Sequence, residues 1–117
     1  SVLKIDIAAC VLKPFTVVSS GKLDRTAGLK AVADVELMHG MDTHTGREVV
    51  VFQLMKGSMP MSIVAVEKDI TSKETFTAYF NVADPQNSNY LVRVFVFDSF
   101  SNDVTAPINL AEPAVLD

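Results

Sequence analysis

Two histidines, an aspartate and several methionines occur close together in this chain and are residue types that bind soft metal ions. His39, Asp42 and His44 lie in one polar stretch, and imidazole with thioether ligands is typical of copper sites. The later methionines follow a predicted strand, which places them about 25 Å away at about 3.3 Å per residue. We therefore favour an exposed loop with core-filling methionines. A metal site at His39, Asp42 and His44 is kept as the third hypothesis.

A second polar cluster follows the most apolar strand of the chain. Asp98 and Asp103, with the serines and the asparagine between them, have the oxygen ligands that calcium prefers. Two carboxylates are few for such a site, and their spacing is not that of an EF-hand loop. These side chains can instead bond nearby backbone groups and end the strand, so a turn is the favoured interpretation. No cofactor is predicted.

Catalysis has little support in the sequence. A catalytic triad could be assembled by residue type alone from Ser99, His44 and Asp98. No nucleophile elbow or glycine-rich phosphate loop surrounds any of them, so the sequence does not support such a triad. A hydrolase would need two acids in a cleft, whereas four of the acids are predicted on solvent faces of strands: Asp34, Glu36, Glu48 and Glu67. A small sandwich also has little room for a deep pocket. The chain is therefore predicted not to be an enzyme.

Four aromatic residues are the candidates for binding a carbohydrate. Sugar binding on a β-domain requires flat, exposed rings with polar neighbours, and Tyr79 and Tyr90 are the plausible rings, with Phe95 and Phe97 added if their face is open. The absence of tryptophan counts against this function. Phe95 and Phe97 share one strand face, so packing against a second sheet or a neighbouring domain is favoured. An exposed pair would instead mark a docking surface.

Apolar residues recur two apart through most of the chain, which predicts β-strands. The candidate residues are therefore expected on strands or on the loops that join them. Residues 29–37 and 76–82 alternate between an apolar and a more polar face. Residues 49–55, 61–66 and 91–97 are apolar on both faces, as in central strands or strands with covered surfaces. A helix over 28–38 is the alternative for that segment, since alanine, leucine and glutamate favour it, but strand is preferred.

Residues that favour turns separate these predicted strands. Lys56, Gly57 and Ser58 separate two strong strands at hairpin distance. Further loops are predicted at 19–21, 39–46, 69–73 and 84–89. Pro113 and the small residues around it are interpreted as a tail that leaves the last strand. Seven or eight short strands of this kind predict an immunoglobulin-like two-sheet antiparallel sandwich, in the all-β class.

Composition limits the class of protein further. The 117 residues are 49% hydrophobic and 21% charged, which suits one domain with its own core. A net charge of -4 with scattered basic residues argues against nucleic acid as a partner. Cys10 is the only cysteine and is interpreted as a small buried side chain. No apolar run is long enough to predict a membrane span.

The segment from about 28 to 112 carries a resemblance to a known group of proteins. An apolar strand, a Lys-Gly turn, a second strand and the run Tyr-x-Val-x-Val-Phe-Val-Phe-Asp-Ser at 90–99 precede a Pro-x-x-Leu-Ala-Glu end at 107–112. This order resembles the C-terminal immunoglobulin- or fibronectin-like modules of secreted and cell-surface proteins of Gram-positive bacteria. Phe97 stands where that family usually has tryptophan. The resemblance implies the same sandwich and an extracellular location.

We therefore expect residues 1–117 to be a single module, excised from a larger protein because the chain begins within an alternating segment. Its expected role is that of a non-catalytic accessory module: a spacer, a packing partner for neighbouring domains of the same polypeptide, or an adhesion element. The alternative is a carbohydrate-binding module whose partner is a polysaccharide or cell-wall surface.

Overall fold

A computed structural model of the protein describes residues 11–12, 16–37, 48–70, 72–97, 108–109 and 113–117. They form nine strands: β1 (Val11–Leu12), β2 (Thr16–Asp24), β3 (Leu29–Leu37), β4 (Glu48–Lys56), β5 (Met59–Lys68), β6 (Lys73–Phe80), β7 (Tyr90–Phe97), β8 (Ile108–Asn109) and β9 (Ala114–Leu116). Within these ranges there is no helix, and so none that is long and apolar enough to cross a membrane.

The strands form two sheets in the order of an immunoglobulin-like sandwich. The smaller sheet has the order β2-β3-β6, and the larger has β1-β8-β7-β4-β5, with β9 also paired to β7. The long strands pair antiparallel, while the two-residue strands β1 and β8 pair parallel. The three strands of the small sheet correspond to A, B and E of the immunoglobulin fold, and β5, β4, β7 and β9 to C′, C, F and G. The predicted all-β sandwich is therefore confirmed.

The main core lies between the two sheets and follows the period of two in the sequence. Two of the inward residues of β3, Ala31 and Ala33, are small and fully buried, and they lie between the larger Leu29 and Val35. In β7 the inward residues begin with Tyr90 and continue with Val92, Val94 and Val96. Large side chains from β4 and β6, among them Phe52 and Phe76, fill the space that the alanines leave. Of the two alternatives for this segment, the strand is thus correct and the helix wrong over the described strand residues Leu29–Leu37.

A second apolar cluster lies on the outer face of the larger sheet. It consists of Val49 and Val51 from β4 with Phe95 and Phe97 from β7, and Ile63 packs against it. The two phenyl rings stack with their centroids 6.1 Å apart. The centre of the larger sheet is therefore buried on both faces, as the two-sided apolar character of 49–55 and 91–97 predicts. The same prediction for 61–66 is wrong, because β5 is the edge strand of this sheet and Met61 is 49% exposed.

Two loop predictions are wrong. Residues 19–21 lie inside β2, where a bulge between Val18 and Ser20 shifts the register against β3. Gly21 lacks a side chain because Leu116 occupies that space: a Cβ on Gly21 would lie 2.4 Å from Leu116 Cδ2. The predicted tail after Pro113 is strand β9, which pairs with Val92 to Val94 of β7. Both segments look loop-like because glycine and proline mark the edges of this sandwich.

The sandwich has two ends, which we name the Tyr90 end and the Phe97 end after the first and last residues of β7. The Tyr90 end contains the turn 25–28, the hairpin tip 57–58 and the loop 81–89, and Gly57 has the positive φ of 61° that its turn requires. The Phe97 end contains the start of β2 and the end of β3, where Leu37 N–H donates to the Ser72 carbonyl at 2.8 Å. The hairpin predicted at Lys56, Gly57 and Ser58 is confirmed.

Candidate functional site

Three of the four aromatic residues considered for sugar binding are buried. Tyr90 is 4% exposed, Phe95 1% and Phe97 0%. Tyr90 faces the main core, while both phenylalanines belong to the second cluster on the other side of β7. None of the three can present a ring face to a ligand, so an exposed platform on β7 is ruled out. The favoured alternative, packing of Phe95 and Phe97, agrees with their burial.

Tyr90 instead has a structural role at the corner between β6 and β7. Its hydroxyl donates to Asp84 Oδ1 at 2.7 Å, across six residues of loop. The arrangement resembles the tyrosine corner of immunoglobulin-type domains, where a tyrosine near the start of strand F bonds the backbone of the preceding loop; here the acceptor in that loop is the Asp84 side chain. The Asn87 amide donates to the other Asp84 oxygen at 3.1 Å, and Lys56 Nζ lies 3.9 Å from it. These contacts fix the loop against the hairpin tip.

The electrostatics of this corner follow from the same bonds. Hydrogen bonds from the Tyr90 hydroxyl and the Asn87 amide, with the nearby Lys56 ammonium, hold the pKa of Asp84 below its ordinary value. The bond to the Asp84 carboxylate raises the pKa of Tyr90, because a phenolate could not donate it. Asp84 is therefore a carboxylate and Tyr90 a neutral phenol at pH 7.

Arg25 holds the same loop from the opposite sheet. Its guanidinium donates to three backbone carbonyls: Asn87 at 2.7 Å, Tyr90 at 2.7 Å and Pro85 at 3.2 Å. In return, the Gln86 amide donates to the Arg25 carbonyl at 2.8 Å. We call this arrangement the Arg25 clamp. It joins the end of β2 in the small sheet to the start of β7 in the large one, so it connects the two layers at the Tyr90 end.

Tyr79 is the one sugar-binding candidate that the structure leaves exposed, at 68%. It lies on the outer face of the small sheet, where the register of β2, β3 and β6 sets nine side chains in three rows. We call these nine residues the polar sheet face: Ser20, Asp34 and Thr75 in the first row, Lys22, Val32 and Thr77 in the second, and Asp24, Lys30 and Tyr79 in the third.

Hydrogen bonds fix the acids of this face. Asp34 accepts from the Thr75 hydroxyl at 2.6 Å and from the Ser20 hydroxyl at 2.7 Å, one on each oxygen. These two bonds hold the pKa of Asp34 below its ordinary value. Asp24 accepts from the Thr26 hydroxyl and backbone N–H, and these bonds likewise lower its pKa. Lys30 Nζ lies 5.8 Å from the Tyr79 ring centroid, within cation–π range.

The candidate metal residues His39, Asp42 and His44 lie outside the described residues, as do Cys10, Asp98, Ser99 and Asp103. In the part of the chain that the structure covers, no three histidine, cysteine or acidic side chains are grouped as metal ligands would be.

The prediction for Glu48 is wrong. It was expected on a solvent face, but its side chain is 0% exposed, and its Oε2 accepts from the Ile70 N–H at 2.8 Å. It shares the inward face of β4 with Val50 and Phe52, so its parity places it inside. The bond ties the start of β4 to the loop before β6, which is a structural role at the Phe97 end.

The comparisons with known proteins found nothing similar to this chain. No protein-family model, no curated protein and no solved structure matches it.

Most of the contacts made by these residues could not be predicted from the sequence. Arg25 bonds carbonyls that are 60 to 65 residues away in the chain, and no local pattern predicts such contacts. The polar sheet face did have a signal: Thr75, Thr77 and Tyr79 alternate with the buried Phe76 and Ala78. The parity of Tyr90 with Val92 and Val94 likewise predicts that it faces inward.

Proposed function

We propose that this chain is a non-catalytic immunoglobulin-like module of a larger extracellular bacterial protein, in which it acts as a spacer between neighbouring domains. The observation that carries the proposal is the direction in which the chain enters and leaves the sandwich. Strand β2 starts at the Phe97 end, where Thr16 pairs with Leu37, and runs toward the Tyr90 end. Strand β9 runs the same way, antiparallel to β7.

This geometry suits a domain that is pulled from both sides. The last strand ends at Leu116, which pairs with Val92, five residues from Phe97. The start of β2 at the Phe97 end and the end of β9 are therefore separated along the strand direction by roughly 17 Å. Tension between neighbouring domains would act along β2 and β9 in opposite directions. It would therefore shear their hydrogen-bond ladders, with the bonds stretched together, instead of opening them one at a time.

Two further features support a spacer. Strands β2 and β9, the first and last strands of more than two residues, lie in opposite sheets and contact each other through Gly21 and Leu116. The Arg25 clamp joins the sheets at the Tyr90 end, and the Tyr90–Asp84 bond fixes the loop that the clamp holds. Motion of either terminal strand thus disturbs both layers, which makes the module one cooperative unit. The extracellular bacterial location rests on the resemblance carried by residues 90–99 and 107–112.

The test is single-molecule stretching of the full chain placed between two handle domains of known unfolding force. The spacer proposal predicts one all-or-none event, whose length gain approaches the roughly 330–360 Å of an extended chain of about 100 residues from Thr16 to Leu116. Gradual lengthening without a distinct force peak would contradict it. So would two separate events, because the sheets would then unfold independently.

A further inference from the structure

We propose that the polar sheet face is a binding site for a neutral oligosaccharide, with Tyr79 as the stacking ring and Asp34, Lys22 and Lys30 as partners of the sugar hydroxyls. This goes beyond the spacer role and is independent of it, since the site lies on the open face of the small sheet. A groove of about 440 Å³ lies on this face over β2 and β3, with Lys22, Lys30, Val32 and Asp34 among its lining residues. Tyr79 flanks the groove from β6, beside Lys30, whose Nζ lies 5.8 Å from the ring centroid.

The Tyr79 ring has the properties of a stacking platform. It is 68% exposed at the edge strand β6 and has no other ring against it among the described residues. One face of a pyranose ring carries C–H groups, which prefer an apolar surface, while its rim carries hydroxyls, which need polar partners. A tyrosine meets both needs, because its ring is flat and apolar and its hydroxyl is polar.

Asp34 is held ready to accept hydrogen bonds from hydroxyl groups. The Ser20 and Thr75 hydroxyls donate to one carboxylate oxygen each and so fix its orientation. A carboxylate has about four acceptor positions, so each oxygen keeps capacity for a further donor. Its lowered pKa keeps it ionised and therefore acceptor-only at neutral pH. A positioned anion of this kind in an exposed groove suits a ligand rich in hydroxyls.

The row spacing favours a chain of sugars over a single ring. Lys30, which pairs with Tyr79, precedes Asp34 by four residues of β3, which corresponds to about 13 Å. Val32 lies between them, half-buried, and gives the groove an apolar floor. Lys22 pairs with Val32 and can donate to hydroxyls at the centre of the groove.

The charges of the face indicate a neutral ligand. Its two lysines, Lys22 and Lys30, are balanced by its two aspartates, Asp24 and Asp34. An anionic polymer on this face would be repelled by the two aspartates, and a cationic polymer would be repelled by the two lysines. Each of these like-charge contacts opposes binding. Uncharged hydroxyls can pair with both.

The experiment titrates the full chain with neutral hexasaccharides of the cellulose, xylan, chitin and starch series, and follows backbone amide shifts by NMR. We expect at least one of them to bind and to shift amides of β2, β3 and β6 around Val32. Tyr79→Ala should weaken binding about tenfold, and Asp34→Asn should weaken it about tenfold by losing a charged acceptor. Tyr79→Phe keeps the ring and should stay within about twofold of the wild type.

The control variant is Met59→Ala, which truncates an exposed apolar residue of the other sheet, 63% exposed, and should leave binding unchanged. Failure of all four series to bind would overturn the proposal. Binding that survives Tyr79→Ala, or that shifts amides elsewhere, would also overturn it. Retention only on an anionic polysaccharide, lost at about 1 M salt where the screening length is about 3 Å, would indicate capture by lysines instead.

Discussion

Replacing Arg25 by alanine should destabilise the protein far more than an ordinary surface substitution. The guanidinium donates to three carbonyls of one loop, two of them at 2.7 Å. A hydrogen bond to a charged group contributes about 1.5–3 kcal/mol. Arg25 is only half-buried, and water can partly replace it at the freed carbonyls, so the sum must be reduced. We expect Arg25→Ala to lower the free energy of unfolding by about 2–3 kcal/mol.

Urea unfolding followed by far-UV circular dichroism measures this loss. With a slope of about 1–3 kcal/mol/M, the midpoint should fall by about 0.7–3 M. Arg25→Lys keeps the charge but not the fork of donors, so it should recover only part of the stability. The control Lys22→Ala also removes a positive charge, but from an exposed side chain of β2. Its free energy of unfolding should stay within about 0.5 kcal/mol of the wild type. A loss that small for Arg25→Ala would refute the clamp as a connection between the sheets.

Three further predictions concern the corner, the second apolar cluster and the contact between the terminal strands. Because the pKa of Asp84 lies below its ordinary value of 3.8, its contribution to stability is present above pH 4 and is lost as the pH falls through the lowered pKa. Acid titration of the unfolding free energy should therefore show a smaller decline for Asp84→Asn than for the wild type, and equal declines would contradict this. Phe97→Ala should cost about 3–5 kcal/mol in urea unfolding, whereas Tyr79→Ala, its exposed counterpart, should cost less than about 0.5 kcal/mol; equal costs would contradict the burial of Phe97. Gly21→Ala should cost about 1–3 kcal/mol by overpacking against Leu116. In a double-mutant cycle with Leu116→Ala the two losses should not add, and simple additivity would exclude that contact.

The parts of the fold that the sequence predicts well are those where one face is buried and the other is not. The alternation from Leu29 to Leu37 defines β3 because a strand with one buried face must keep its period of two. Gly57 marks the hairpin because its φ of 61° is unfavourable for other residues. In both cases the physical cause acts within a few residues of the chain.

The wrong predictions have causes that lie far away in the chain. Gly21 resembles a loop residue, but its reason for being glycine is the side chain of Leu116 in the opposite sheet. Glu48 has a charged side chain and is predicted to be exposed, yet the Ile70 N–H in the loop between β5 and β6 gives it a buried partner. Its parity with Val50 and Phe52 indicates an inward position, but neither contact itself leaves a pattern in the neighbouring residues.

The candidate site was only partly predictable for the same reason. Tyr79 could be identified as an exposed ring from its alternation with Phe76, Ala78 and Phe80. Its partners Lys30 and Asp34 come from β3, and only the register between β3 and β6 places Lys30 beside it and Asp34 on the same face. The type of residue predicted the chemistry, while the register determined which residues share a face.

The force at which the chain unfolds when it is stretched through its termini tests the spacer role most directly. The account predicts a single unfolding event, at a force that falls in Arg25→Ala and is unchanged in Lys22→Ala, since only the former removes a connection between the sheets. A chain that extends without a distinct event, or whose unfolding force is the same in both variants, would contradict it.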